Sequence, residues 1–145
     1  LDSLEYREAM SKACLLAGYA FSQTRTSAAH ALSYPLTLFH DIPHGFACSI
    51  TLGPIFDYNI AKSQTGLIEV LDIFQNRYGN KNSSFHDCYK LFLEDCEVFS
   101  KLSEYGVKQA DIPRLVDNAF HPDRFNNMLY ELSLEQVKDI YHSVL

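Results

Sequence analysis

No stretch of the 145-residue sequence is apolar over anything near the ~20 residues that cross a bilayer, which argues against a membrane protein. Basic residues are in deficit as well. Twelve Lys and Arg stand against eighteen Asp and Glu, a net charge of −6. A nucleic-acid surface needs the opposite balance to neutralise phosphates, so that partner class is excluded. The four cysteines, Cys14, Cys48, Cys88 and Cys96, contain no C-x-x-C pair, so neither a zinc knuckle nor a redox motif is supported. Scattered thiols in apolar surroundings are expected to be buried. The chain opens at Leu1 without Met and without the basic-then-apolar stretch of a secretory signal. The reading is a processed protein or an excised domain, in the reducing cytoplasm. Alternating strand patterns, internal repeats and low-complexity tracts are missing too.

What is present is enough for a core. Apolar residues make up 47% and charged residues 21%, and the length suits one domain. The hydrophobic period is helical throughout. Asp2 and Glu5 form a capping-box pattern ahead of Leu4, Ala9, Ala13, Leu16, Ala17 and Ala20, predicting a helix from about Ser3 to Phe21. The polar run Ser22 to Thr26 breaks it. Ser27 caps a second helix, Ala28 to about Phe39, with Pro35 inside it as a kink or an early end of the ladder. After a turn at His40–Ile42, Pro43 opens a third helix that is apolar nearly all round and therefore central. Leu67, Val70, Leu71 and Phe74 mark a fourth, closed by Gly79. Phe85 to Leu102 reads as one long helix stopped at Gly106, with Phe85, Tyr89, Phe92 and Phe99 in the core and Glu94, Asp95 and Glu97 on a solvated face. Asp111 and Pro113 start a sixth, and the Ser133/Gln136 capping box opens the last. The fold class is all-α, one domain of six to eight helices.

The histidines carry the functional argument. His30, His40 and His44 fall within fifteen residues, His30 and His44 on two helices and His40 in the short turn that joins them. Antiparallel helices so joined can bring His30 and His44 to one point, where neutral imidazoles suit a divalent transition metal. A histidine on an apolar helix is also an ordinary core residue, and two ligands do not make a site. A structural site closed by His40 or Asp41 is a further reading. His86, His121 and His142 sit in surface-like settings without a ligand-spaced partner.

Ala17-Gly18-Tyr19-Ala20-Phe21-Ser22, His30-Ala31-Leu32-Ser33-Tyr34-Pro35-Leu36 and Pro43-His44-Gly45-Phe46-Ala47, with fourteen residues from His30 to His44, together resemble the iron-containing (group III) alcohol dehydrogenases. That family stands with glycerol dehydrogenase and dehydroquinate synthase in one superfamily. Leu134 to Tyr141 resembles its last helix, while the middle, from about Asn59 to Asn127, is similar in helical character alone.

The resemblance implies that residues 1–145 are the C-terminal metal-binding helical domain of a two-domain enzyme. The enzyme's N-terminal α/β domain, which binds NAD(P) and lies upstream in the family, is absent here. It implies a metal in the cleft between the domains, Fe²⁺ or Zn²⁺, held by one Asp and three His. His30 and His44 match the last two His positions. The Asp-x-x-x-His that supplies the first two has no counterpart before His30; Asp2 is followed four positions on by Tyr6. The implied function is interconversion of a small alcohol and its aldehyde or ketone, with the isolated 145 residues inactive. The alternative is a non-catalytic helical module for assembly or binding. Tyr34 stands where many members have a further His near the nicotinamide. It is a candidate catalytic residue that hydrogen-bonds substrate or ribose, or simply packs. Gln23 to Thr26 and Leu32 to Thr37 resemble a subgroup that includes phosphonoacetaldehyde reductases. Arg25 is then a candidate for an anionic substrate group, or a loop residue tying down a helix end. Ser33 and Tyr34 are candidate partners for the free ring nitrogens of the ligands. An apolar surface around His30, Tyr34 and His44 is expected to be covered by the nucleotide-binding domain or by self-association into a homo-oligomer.

Overall fold

A computed structural model describes residues 3–24, 26–62, 66–119, 125, 128 and 130–145. Among these residues the chain is all-α. Seven helices follow in order: α1 (Leu4–Ser22), α2 (Ala28–His40), α3 (His44–Lys62), α4 (Leu67–Tyr78), α5 (Phe85–Asp95), α6 (Ile112–Ala119) and α7 (Leu134–Ser143). Two 3₁₀ turns, Leu102–Tyr105 and Gln109–Asp111, join α5 to α6. No helix is long and apolar enough to cross a membrane among the described residues.

The main core is built by α2, α3, α6 and α7. Leu32, Leu36, Ile50, Ile112, Leu115, Val137 and Tyr141 meet there. The Tyr141 hydroxyl donates to the Leu32 carbonyl at 2.8 Å, tying α7 to α2. Arg114 of α6 lies over the Phe39 ring of α2 at 3.6 Å from the centroid, a cation–π contact on the rim. A second, aromatic cluster holds α4 and α5 against α3. Phe85, Tyr89 and Leu93 form it, with Phe56, Phe74 and Phe92 packed around them.

Local chemistry accounts for the ends. Ser133 and Gln136 satisfy each other's backbone N–H groups at the start of α7. Asp57, on α3, accepts from the Phe85 and His86 backbone N–H groups at 2.9 and 3.1 Å, while Ser84 accepts from Asp87. The first turn of α5 therefore finds its partners partly on another helix. Asp41 ends α2 in the left-handed conformation at φ 53°. Pro35 neither ends nor shortens α2, which runs on to His40 with the ring buried.

Several expectations are corrected. The helix predicted from Phe85 to Leu102 stops at Asp95, and Glu97 turns the chain at φ 57°. Phe99 is consequently exposed rather than in the core, and Glu97 is not on a helix face. α1 starts behind Ser3 without a side-chain cap, Asp2 lies outside the described residues, and α1 has no buried residue. Of the four cysteines only Cys88 is buried; Cys14 and Cys96 are exposed and Cys48 is half-buried. Phe46 and Leu52 are exposed, so α3 keeps one side open despite its apolar sequence.

His86 is half-buried rather than fully at the surface. It sits where α5 crosses α3 at Gly53; a Cβ on Gly53 would lie 2.7 Å from His86 Nδ1 and 3.2 Å from its Cα. Glycine is what permits this approach. Burial pushes the His86 imidazole below its ordinary value of 6.5, opposed by the Asp57 and Asp87 carboxylates and assisted by Lys90. The folded chain thus binds this proton less readily than the unfolded chain. His86 contributes stability above the unfolded pKa, and that stability is lost as pH falls below it. The urea midpoint of the wild type is expected to fall between about pH 7.5 and about pH 5 by more than that of His86→Asn. Equal falls in both would remove His86 from the account.

Candidate metal centre

α2 and α3 are joined by a three-residue turn and pack against each other. His30 lies in the first turn of α2 and His44 is the first residue of α3. Their ring centroids stand 5.2 Å apart, edge to face. The sequence reading singled out this pair, and the fold brings it together.

A third donor joins it. His44 and Cys48 are one helical turn apart on α3, and Cys48 Sγ lies 3.7 Å from His44 Nε2. The ligand atoms of His30, His44 and Cys48 all fall within 4.8 Å of one another. It is the one such group of three among the described residues. The sequence pattern places Cys48 among buried thiols, not among donors. Its i, i+4 spacing from His44 was the available signal, hidden by apolar neighbours that read as packing. His40 and Asp41 do not belong to the group.

Ser33 organises the centre from beneath. It is fully buried, donates its hydroxyl to the His30 carbonyl at 2.8 Å, and lies 3.2 Å from His44 Nδ1. With its one proton committed to that carbonyl, Ser33 Oγ accepts from His44 Nδ1–H. This tautomer leaves the lone pair of His44 on Nε2, the ring nitrogen nearer Cys48. Burial first, and the neighbouring His44 second, hold His30 below its ordinary value of 6.5. Neutral at pH 7, His30 also offers a lone pair. Burial pushes the Cys48 thiol up, with Ser33 pulling the other way. Two neutral imidazoles and a thiol are a donor set for a divalent transition ion.

Tyr34 stacks on His44, with centroids 5.7 Å apart and planes at 21°, and it is 45% exposed. A cleft of about 230 Å³ opens beside His30, lined by Phe21, Thr26 and Ser27. Leu38 and Phe46 are exposed on the same helix pair. Arg25 lies outside the described residues.

The chain is similar to sulfoacetaldehyde reductase from Bilophila wadsworthia, 31% identical over 128 residues, covering 83% of this chain and 33% of that one. It is similar to phosphonoacetaldehyde reductase from Streptomyces viridochromogenes, 46% identical over 55 residues, or 38% of this chain and 14% of the relative. Among solved structures, sulfoacetaldehyde reductase from Bifidobacterium kashiwanohense in complex with NAD⁺ superposes with a TM-score of 0.75 at 28% identity, over 97% of this chain and 36% of that one. The chain thus spans about a third of the length of both sulfoacetaldehyde reductases. Residues 1–145 match the Fe-containing alcohol dehydrogenase family, C-terminal. An all-α fold shared with its relatives and a match along its whole length lead to one assignment: the chain belongs to the iron-containing alcohol dehydrogenase family, as its C-terminal domain.

Proposed function

We propose that these residues are the metal-holding, substrate-side domain of a cytoplasmic NAD(P)-dependent dehydrogenase that interconverts a small alcohol and its aldehyde or ketone. One observation carries the reading. Two imidazoles converge from adjacent helices at an open surface, in a chain that belongs to this family. Four free cysteines accord with a reducing compartment.

The division of labour follows from the residues. A divalent ion bound here, Fe²⁺ or Zn²⁺, supplies Lewis acidity at the substrate oxygen. His30 and His44 hold it through their lone pairs, and Ser33 fixes the His44 tautomer. Tyr34 braces the exposed face of His44 and stands beside the position a substrate or ribose would take. The nicotinamide and its hydride belong to a nucleotide-binding domain, and the 145 residues alone are inactive. The exposed apolar side of α1 and the Tyr34–His44 surface are where that domain rests, and dimerisation completes the cover. The relatives that reduce sulfoacetaldehyde and phosphonoacetaldehyde support a short aldehyde with an anionic head as substrate, and Arg25 as the residue that pairs with it.

Anaerobic titration with Fe²⁺ or Zn²⁺ tests the site. One ion per chain is expected, with affinity reduced in both His30→Ala and His44→Ala. Uptake indifferent to both substitutions would overturn the reading.

A further inference from the structure

We propose that Cys48 is a third protein ligand of this centre, binding as a thiolate, so that the chain carries a His₂Cys site for a thiophilic divalent ion. The inference rests on the reading that His30 and His44 hold a metal, and goes beyond it in the donor set.

With metal–nitrogen and metal–sulfur bonds of about 2.1 and about 2.3 Å, a tetrahedral ion holds its nitrogen and sulfur about 3.6 Å apart, and a right-angled one about 3.1 Å. Cys48 Sγ and His44 Nε2 are 3.7 Å apart, at the tetrahedral span. His30, His44 and Cys48 fit within a 4.8 Å circle, so small side-chain rotations close the set. The ring nitrogen nearest the sulfur is the one that the Ser33 hydrogen bond leaves with a lone pair. Position in the fold separates Cys48 from the other thiols. Cys14 and Cys96 are exposed, and Cys88 is buried with its sulfur against Gly79; none belongs to a group of donors among the described residues.

Coordination balances simply. The Cys48 S–H proton leaves to solvent, the sulfur lone pair goes to the ion, and both imidazoles stay neutral, leaving the centre with one net positive charge. Thiolate sulfur raises the preference for zinc or cobalt relative to an all-nitrogen and oxygen set.

Cobalt(II) is the probe. Added anaerobically to the chain, it is expected to give a near-ultraviolet thiolate-to-cobalt charge-transfer band. That band should be lost in Cys48→Ser and in Cys48→Ala while equilibrium dialysis still finds bound cobalt. Zinc is expected to shield Cys48 from iodoacetamide, read peptide by peptide, and to leave Cys14 and Cys96 as reactive as before. Cobalt binding that depends on His30 but shows no such band overturns the thiolate ligand and leaves the histidine centre standing. A band that survives in Cys48→Ser assigns the sulfur to another cysteine and also overturns it. No cobalt bound at all overturns both readings.

Discussion

Tyr141→Ala is expected to lower the unfolding free energy by about 3–5 kcal/mol, the usual cost of emptying an aromatic site in a closed core. Tyr141 is the largest of the fully buried side chains. It sits in the main core with residues of α2, α3, α6 and α7, which are held in place by their own helices. Its hydroxyl donates to the Leu32 carbonyl, and burial holds that hydroxyl protonated by raising its pKa far above 10. The truncation removes ring and bond together. Tyr141→Phe separates them. It keeps the ring, loses a bond worth about 1 kcal/mol, and leaves a carbonyl that still has its place in the α2 ladder. Against a total stability of about 5–15 kcal/mol for a single domain, the alanine variant loses much of its margin. Urea unfolding followed by circular dichroism gives both values. An alanine variant as stable as the phenylalanine variant would show that the core repacks around the loss.

His44→Ala carries the largest expected effect on catalysis. In a chain that joins these residues to a nucleotide-binding domain, kcat/KM for NAD(P)-linked turnover should fall about a thousandfold. That corresponds to about 4 kcal/mol of lost charge stabilisation at the substrate oxygen. Ser33→Ala is the graded companion. It keeps the ligand but frees its tautomer, which should weaken metal affinity by about 10–100-fold, and added metal should restore the rate. His44→Ala should not be rescued in that way. A His44→Ala enzyme that keeps a tenth of its activity would remove His44 from the ligand set.

The parts of this molecule that were legible in its sequence are those where local chemistry and tertiary packing agree. Pro43 and Ser133 mark helix starts by their own backbone chemistry, and the structure begins α3 and α7 beside them. His30 and His44 were legible as a pair because a three-residue turn between two helices leaves few ways to place them. Leu93 to Phe99 misled for a definite reason. No Gly or Pro interrupts the run, and Val98 and Phe99 continue the apolar period past Asp95. The chain turns instead at Glu97, a residue that tolerates the left-handed region poorly, so only packing of the following segment selects that break. Cys48 was lost to the opposite problem: a small sulfur among Ala47, Ile50 and Thr51 looks like filling. His86 needed the α3–α5 crossing at Gly53, a pairing of residues thirty-three apart that no local pattern carries. Helical spacing in α1 marked a face without naming what that face meets, and the fold leaves all of it outside the core.

That last feature bears on how such a domain can diversify. Leu4, Tyr6, Met10, Leu15 and Tyr19 are exposed, so exchanging them leaves the packing of α2, α3, α6 and α7 untouched. Selection on these positions then acts through whatever surface α1 adjoins and hardly through folding. The helix can be grafted from a relative at small cost to the scaffold that presents His30 and His44. The second helix enjoys no such freedom, because Leu32, Ser33 and Leu36 belong both to the core and to the helix that carries His30. Variation between lineages should therefore collect on the first helix ahead of Ala17, where the family resemblance begins, while the second changes only in step with its neighbours.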